Sequence, residues 1–294
     1  MQNKSLYKKK PRPLDWFIHG LIYICASLSI IILACIVTYV GYRGISSISW
    51  NFITTVPSAI KGTVGIAGNI INTLYIIILT LLIAIPLGVG AAIYLNEYAK
   101  PGRVVRLIEF TTETLSGIPS IIFGLFGYVF FGVTLKLGYS ILTGGLTLTL
   151  IILPLITRNT QEALKTVPDS YRKGALGIGA SKWYMIRTIL LPSAMPGIVT
   201  GIVLSVGRIV GESAALLFTA GSGYLLPKLG DYGEGLFKKI LQPGGTLTIE
   251  LYLSMEKAKY DTAFAIALIL LIIVFGINLL TKYLSNKLNL DKRP

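Results

Sequence analysis

The chain has 294 residues, of which 53% are hydrophobic and only 14% charged, and its mean hydropathy is +0.71. That balance excludes an ordinary soluble domain, because the apolar residues come in blocks of roughly twenty, the length that crosses a hydrocarbon layer as a helix. A formal net charge of +14 would suggest nucleic acid in a soluble protein, but no compact basic module carries it, and in a membrane protein the distribution of charge between loops matters more than its total.

Six spans are expected, near residues 18–41, 70–95, 113–135, 139–157, 195–220 and 262–283, making an all-α membrane protein with six transmembrane helices. Lys4, Lys8, Lys9, Lys10 and Arg12 precede the first. The run from Ile18 to Val40 is too long for a signal-peptide core and lacks a small-x-small cleavage site, so an uncleaved helix is expected. Cys25 and Cys35 lie about 15 Å apart along that helix, too far for a disulfide, and read as packing residues. His19, the only histidine, reads as an interfacial side chain, so no metal site is expected.

Lys100, Arg103 and Arg106 follow the second span. Gly117, Pro119, Gly124, Gly127 and Gly132 interrupt the third, and such breaks persist in a membrane only where neighbouring protein or water satisfies the freed backbone. Residues 116–127, with Ser116 and Ser120, are therefore candidates for a polar pathway.

The connection from Arg158 to Leu191 is long for a helix hairpin. Glu162 to Lys165 continues a helix, Val167-Pro168-Asp169-Ser170 stops it and supplies an N-cap, and Tyr171 to Ile178 can form a short amphipathic helix ended by Gly179. By pattern alone this helix presents a surface to a partner or lies on lipid headgroups.

The fifth span carries the most informative pair, Arg208 and Glu212, inside the apolar run from Met195 to Ala220. A charged group at bilayer depth costs about 2.5–3.5 kcal/mol on insertion scales, so it normally faces a polar cavity or a partner. Four residues apart, the two are expected on one helical face, continued by Ser205 and Gly201. The competing reading is a structural ion pair between helices, and Gly197, Gly201 and Ser205 equally suit close helix packing.

Basic residues cluster in alternate connections: before the first span, after the second, between Arg158 and Arg187, and in Lys282, Lys287, Lys292 and Arg293. The other side holds Arg43, Lys61, Lys136 and the loop from Lys228 to Lys259. The positive-inside rule then puts both termini in the cytoplasm. Residues 177–182 hold glycines and a lysine but lack phosphate-loop spacing, and no nucleophile elbow or zinc-helix motif is present, so the chain is not read as an enzyme and any ATPase is another chain. A secondary transporter would need more spans and more intramembrane acids, and an anion channel a ring of subunits each supplying Arg208. Neither explains the 158–192 connection.

Gly174-Ala175, Gly179, Ile189 and Leu191-Pro192 resemble in spacing the cytoplasmic loop motif of ABC importer permeases, with Lys173 where that family has Glu and Gly174 where it has Ala. Pro86-Leu87-Gly88, the blocks 93–99 and 116–127, and Arg208 to Ala214 are similar to the phosphate-importer permeases of the PstA family, with Ala215 where that family often has Pro. This resemblance runs from about Gly65 to Ala220. It implies a MetI-like type I ABC importer permease fold with a cytoplasmic coupling helix, in which residues 1–64 form the N-terminal tail, first helix and external loop, 65–285 the core with coupling loop 158–192, and 286–294 a C-terminal tail.

The resemblance further implies multi-pass residence in the cell membrane and four kinds of contact: a PstC-like second permease, a PstB-like ATPase dimer, a PstS-like phosphate-binding protein and membrane lipid, with no nucleic acid. ATP and Mg2+ are expected on the ATPase and no cofactor on this chain. Lys173, Gly174, Ala175, Gly179, Ile189, Leu191 and Pro192 would couple to the ATPase, and the external loop from Gly221 to Asp261 would face the binding protein. Arg208 would lend a planar fork of donors to a passing phosphate, while Glu212 either neutralises Arg208 at rest or accepts the proton that phosphate still carries. Ser205, Ser116 and Ser120 complete the expected pathway; sulfate or molybdate is the alternative cargo.

Overall fold

The computed structural model of the chain describes residues 13–57, 64–100, 102–226 and 234–288. Lys4, Lys8, Lys9, Lys10, Arg12, Lys61, Lys228, Lys292 and Arg293, which entered the charge argument, lie outside the described residues. Helix α1 (Pro13–Ile45) is followed by a short α2 (Trp50–Thr54), then α3 (Ala67–Ile93) with a π-helical turn at Tyr94–Tyr98, α4 (Arg103–Ser116), and α5 (Ser120–Gly127) running into a second π-helical stretch at Tyr128–Thr134. After α6 (Ile141–Lys165) come α7 (Asp169–Gly177), α8 (Lys182–Met185), a third π turn (Ile186–Leu190), α9 (Leu191–Val210), α10 (Ala214–Thr219), α11 (Glu234–Ile240), α12 (Leu247–Glu256) and α13 (Tyr260–Leu288). Among the described residues, five stretches are long and apolar enough to cross a membrane: Trp16–Ile45, Ala67–Tyr98, Ile141–Lys165, Lys182–Val210 and Tyr260–Tyr283. The pair α4 and α5 makes the sixth if counted as one span, bent by 101°.

Two expected spans need correction. The third was placed at 113–135 as one interrupted helix; instead α4 ends at Ser116 and α5 leaves at a steep angle from Ser120. Proline lacks an amide donor and keeps the preceding residue out of helical geometry, so Ile118-Pro119 prevents the two helices from joining. The fifth span, expected at 195–220, instead begins at Lys182 and stops at Val210. Pro192 therefore lies within a continuous helix, and the π turn at Ile186–Leu190 just before it re-spaces the carbonyls around a residue that has no amide to donate.

Helix α6 is the centre of the bundle, packed against α3 on one side and α9 on the other, with Leu148, Ile152 and Ile156 buried beside Ile76, Ala84, Val206 and Ile209. Its many threonines do not disturb this, because Thr147, Thr149 and Thr157 donate to carbonyls four residues back. Lipid tails are as apolar as leucine, so helix association rests on close packing of small residues rather than on a hydrophobic drive. A Cβ on Gly124 would fall 2.8 Å from the Ala215 Cα, which is why α5 and α10 can touch backbone to backbone.

The periphery is apolar and bare. Leu21, Ile31, Leu82, Ile272 and Phe275 are exposed, a surface stable only against lipid or another membrane protein. Cys25 and Cys35, expected to pack, are exposed on α1, which docks chiefly on α13 through Tyr39 set edge-on to Phe264 and the Arg43 guanidinium over the same ring. Part of the segment from Gly221 to Asp261 is core rather than loop: Leu247 and Ile249 of α12 are buried, and Asn69 and Asn72 of α3 donate to the carbonyls of Gly245 and Gly223. Lys239 is buried there too, its Nζ donating to the Pro243 carbonyl at 3.4 Å, and burial pushes its ammonium pKa down.

Gly124→Val should separate α5 from α10 at a cost of about 1–3 kcal/mol. The expected readout is a lowered melting temperature of the detergent-solubilised protein, with Gly90→Ala, at an open position, melting as the parent does.

Candidate functional site

The antiparallel packing of α6 and α9 fixes the depth of Arg208. A Cβ on Gly197 would meet the Ala163 Cβ at 2.5 Å, and one on Gly201 the Asn159 Cβ at 2.7 Å, so the two helices run in opposite directions in tight register. Two turns beyond Gly201, about 10 Å further along the axis, Arg208 is level with the middle of α6. It faces a cavity of about 630 Å³ between α4, α5, α6 and α9. On α6 the lining runs from Ile151 to Lys165, about 20 Å of helix, so the cavity leads from mid-bundle to the end that carries α7.

Arg208 and Glu212 are neighbours, though not as two residues on one helical face. Helix α9 ends at Val210, and Glu212 lies in the turn that follows. Its side chain is 6% exposed, against 52% for Arg208. One carboxylate oxygen accepts from the Ala215 amide at 3.1 Å, capping α10; the other stands 3.8 Å from an Arg208 nitrogen, too long for a good hydrogen bond. The Glu212 carbonyl accepts from the Thr248 hydroxyl. The carboxylate is thus tied to backbone, while the guanidinium, with five donors in a planar fork, is turned to the cavity.

Of the expected serines, Ser116 lines the cavity with Arg208, its hydroxyl donating to the Glu113 carbonyl. Ser120, half-buried at the start of α5, does not belong to that lining. Ser205 is fully buried and donates to the Gly201 carbonyl, in the packing rather than in the cavity wall.

Sequence reasoning missed the rest of the polar lining. Arg158 reaches Glu162 at 3.3 Å and Glu113 of α4 at 3.5 Å, an exposed bridge between α4 and α6. Exposed pairs of this kind add little stability, so their weight is electrostatic: Arg158, Lys165 and Arg208 line one cavity together with Glu109, Glu113 and Glu162. The spacings of Arg158 with Glu162 and of Glu109 with Glu113 were the available signal.

At the end that carries α7, the expected coupling residues divide by side. Ala175 is buried with Leu164, Met185, Ile186 and Leu190, and Ile189 and Leu191 pack on that cluster. Lys173 and Gly174 are exposed on α7, Gly179 takes the left-handed conformation that ends it (φ +83°), and Pro192 opens α9. Ile178, 88% exposed, gives the end of α7 an apolar tip, with Tyr171 and Leu176 of α7 also exposed, while Trp183 and Tyr184 are exposed at the start of the stretch Lys182–Val210. The α7 tip lies outside the stretches long and apolar enough to cross a membrane.

Residues 84–290 match the family described as binding-protein-dependent transport system inner membrane component. The chain is 37% identical over 275 residues to the probable ABC transporter permease protein YqgI of Bacillus subtilis (strain 168), covering 90% of this chain and 93% of that one. It is 30% identical over 264 residues to the phosphate transport system permease protein PstA of Mycobacterium leprae (strain TN), covering 87% and 83%. Among solved structures, the MetNI methionine ABC transporter in inward-facing conformations superposes with a TM-score of 0.57 at 20% identity, over 76% of this chain and 94% of that one, which shows a MetI-like fold.

Removing the cap should be felt as instability. Glu212→Ala is expected to lower the thermal stability of the purified protein by about 0.5–2 kcal/mol, whereas Glu212→Gln, which keeps an oxygen for the Ala215 amide, should lose less than half of that.

Proposed function

The chain belongs to the family of binding-protein-dependent transport system inner membrane components, PstA-like permeases of ABC transporters rather than enzymes, and we propose that it carries inorganic phosphate into the cytoplasm. The observation that carries this reading is Arg208: a half-exposed guanidinium at mid-bundle, on a cavity, with its neighbouring carboxylate held by backbone. Phosphate and carboxylate oxygens both fit the guanidinium fork, and charge-assisted bonds of that kind are the strong ones.

In this reading the permease sits in the cell membrane with both termini in the cytoplasm, beside a PstC-like second permease. A PstS-like binding protein delivers phosphate at the end opposite α7, and a PstB-like ATPase dimer, holding ATP and Mg2+, docks on Lys173 to Gly179 and the apolar tip. Recognition is delegated to the binding protein, so the membrane site holds its cargo weakly; a deep well would slow release. Glu212 keeps it weak. Its free oxygen partly neutralises Arg208 at rest, and because the 3.8 Å approach is not a formed hydrogen bond, the guanidinium can turn to an arriving anion without breaking one.

Glu212 also offers a reason to prefer phosphate. Phosphate monoesters have a second pKa of about 6, and inorganic phosphate likewise keeps a proton near neutral pH, which the free Glu212 oxygen can accept as a hydrogen bond. Sulfate has no such proton, and a bare dianion meets only repulsion from that carboxylate. Beyond Arg208, the alternating charges of Arg158, Lys165 and the three glutamates let an anion pass without a strong trap.

The test is ATP-dependent uptake of labelled phosphate by the reconstituted complex with its binding protein. Arg208→Gln should lower uptake at least about tenfold, the weight of one charge-assisted hydrogen bond or more, while the subunits still copurify. Uptake at the parental rate in that variant would return Arg208 to a structural role, and ATP-driven uptake of sulfate or molybdate in place of phosphate would reassign the cargo.

A further inference from the structure

We propose that Arg172 and Glu97 form a buried clamp that positions α7 and passes its movement to the cavity wall, making Arg172 a positioning residue for transport; this rests on the reading of α7 as the ATPase-docking helix. Arg172 is 18% exposed and Glu97 6%. The Arg172 guanidinium donates through Nε and Nη2 to one Glu97 oxygen at 3.2 and 3.0 Å, through Nη2 to the Leu164 carbonyl at 2.9 Å, and through Nη1 to the Val167 carbonyl at 2.8 Å and the Asp169 carboxylate at 3.1 Å. One side chain therefore joins the end of α3, the last turn of α6 and the first turn of α7.

The local structure is built for this contact. Helix α3 closes in a π turn, with the Ala99 amide donating to the Tyr94 carbonyl at 2.8 Å, and Glu97 lies within that turn. Asn96 donates to the same Glu97 oxygen at 2.6 Å. The Leu164 carbonyl belongs to the last turn of α6, where its backbone partner is the long approach of the Val167 amide at 3.4 Å, and Arg172 adds a shorter bond at 2.9 Å. A second link reaches the same turn from beyond α7, where the Lys182 ammonium lies 4.9 Å from the centre of the Tyr98 ring.

A buried ion pair is weak evidence for stability, since desolvation offsets most of its attraction; its best-attested use is to fix one arrangement over others. Here the arrangement fixed is that of a surface helix on two spans. Without the clamp, α7 would be joined to α6 by the turn at 166–168 and by the apolar contacts of Ala175, and a push on its exposed tip would be absorbed there. With it, a displacement of α7 must move α3 and α6, and α6 is the helix whose face lines the cavity opposite Arg208.

The experiment measures ATP hydrolysed per phosphate taken up by the reconstituted complex with its binding protein, for the parent, Glu97→Gln, Glu97→Asp and Arg172→Lys. Glu97→Gln is nearly isosteric and removes only the charge, and lysine keeps the charge but not the fork. Both are expected to retain the ATPase on purification while the ratio of ATP spent to phosphate moved rises about fivefold or more, the lower end of typical coupling energies. Glu97→Asp should recover part of the loss. Parental ratios in both variants would overturn the clamp and leave the permease reading intact, and so would failure of both to assemble, which would mark the pair as a structural staple. A parent complex that neither binds an ATPase nor imports phosphate would sink the permease reading instead.

Discussion

Inside a membrane, a backbone amide or carbonyl that leaves a helix must find another partner, and the site depends on how this chain meets that demand after Val210. The helix stops, Glu212 folds over to accept the Ala215 amide, and the Thr248 hydroxyl reaches the Glu212 carbonyl. A carboxylate committed to its own backbone is only a loose companion for Arg208. The guanidinium is consequently left facing open space at mid-depth, which a fully formed ion pair on a continuous helix would have prevented.

Helix α6 connects this site to the rest. One side meets α3, another receives the tight glycine approach of α9, and its exposed residues from Ile151 to Lys165 form the cavity wall. Its last turn is held by Arg172. Charge at mid-bundle and the apolar tip of α7 are therefore connected through one helix, with α4 set off from α5 by the break at Gly117 to Pro119 and bridged to α6 by Arg158.

What could be read from the sequence was what one segment dictates by itself. Arg208 in an apolar run, the stop at Pro168 and the glycine ending α7 are local statements found in the structure, whereas the expected side-chain cap is not: α7 already starts at Asp169, behind Pro168, whose side chain has no oxygen to cap it. The bend between α4 and α5 was half legible: glycines and a proline announce a break, but its angle is set by what α5 packs against, and that is α10, far along the chain. Ser205 was assigned to the same helical stripe as Arg208, yet Gly201 brings α9 so close to Asn159 that the serine is enclosed in packing. Glu97 with Arg172 was illegible, since a π turn has no residue signature and 75 positions separate the partners.

Helix α1 is moored along one edge. Phe264 of α13 takes both the ring of Tyr39 and the guanidinium of Arg43, none of its most apolar stretch is enclosed by the rest of the chain, and the family match begins only at residue 84. A part so lightly fastened is a convenient handle: a dye or surface tether attached through Cys25 or Cys35 would report on or immobilise the molecule while leaving the conducting machinery free to work.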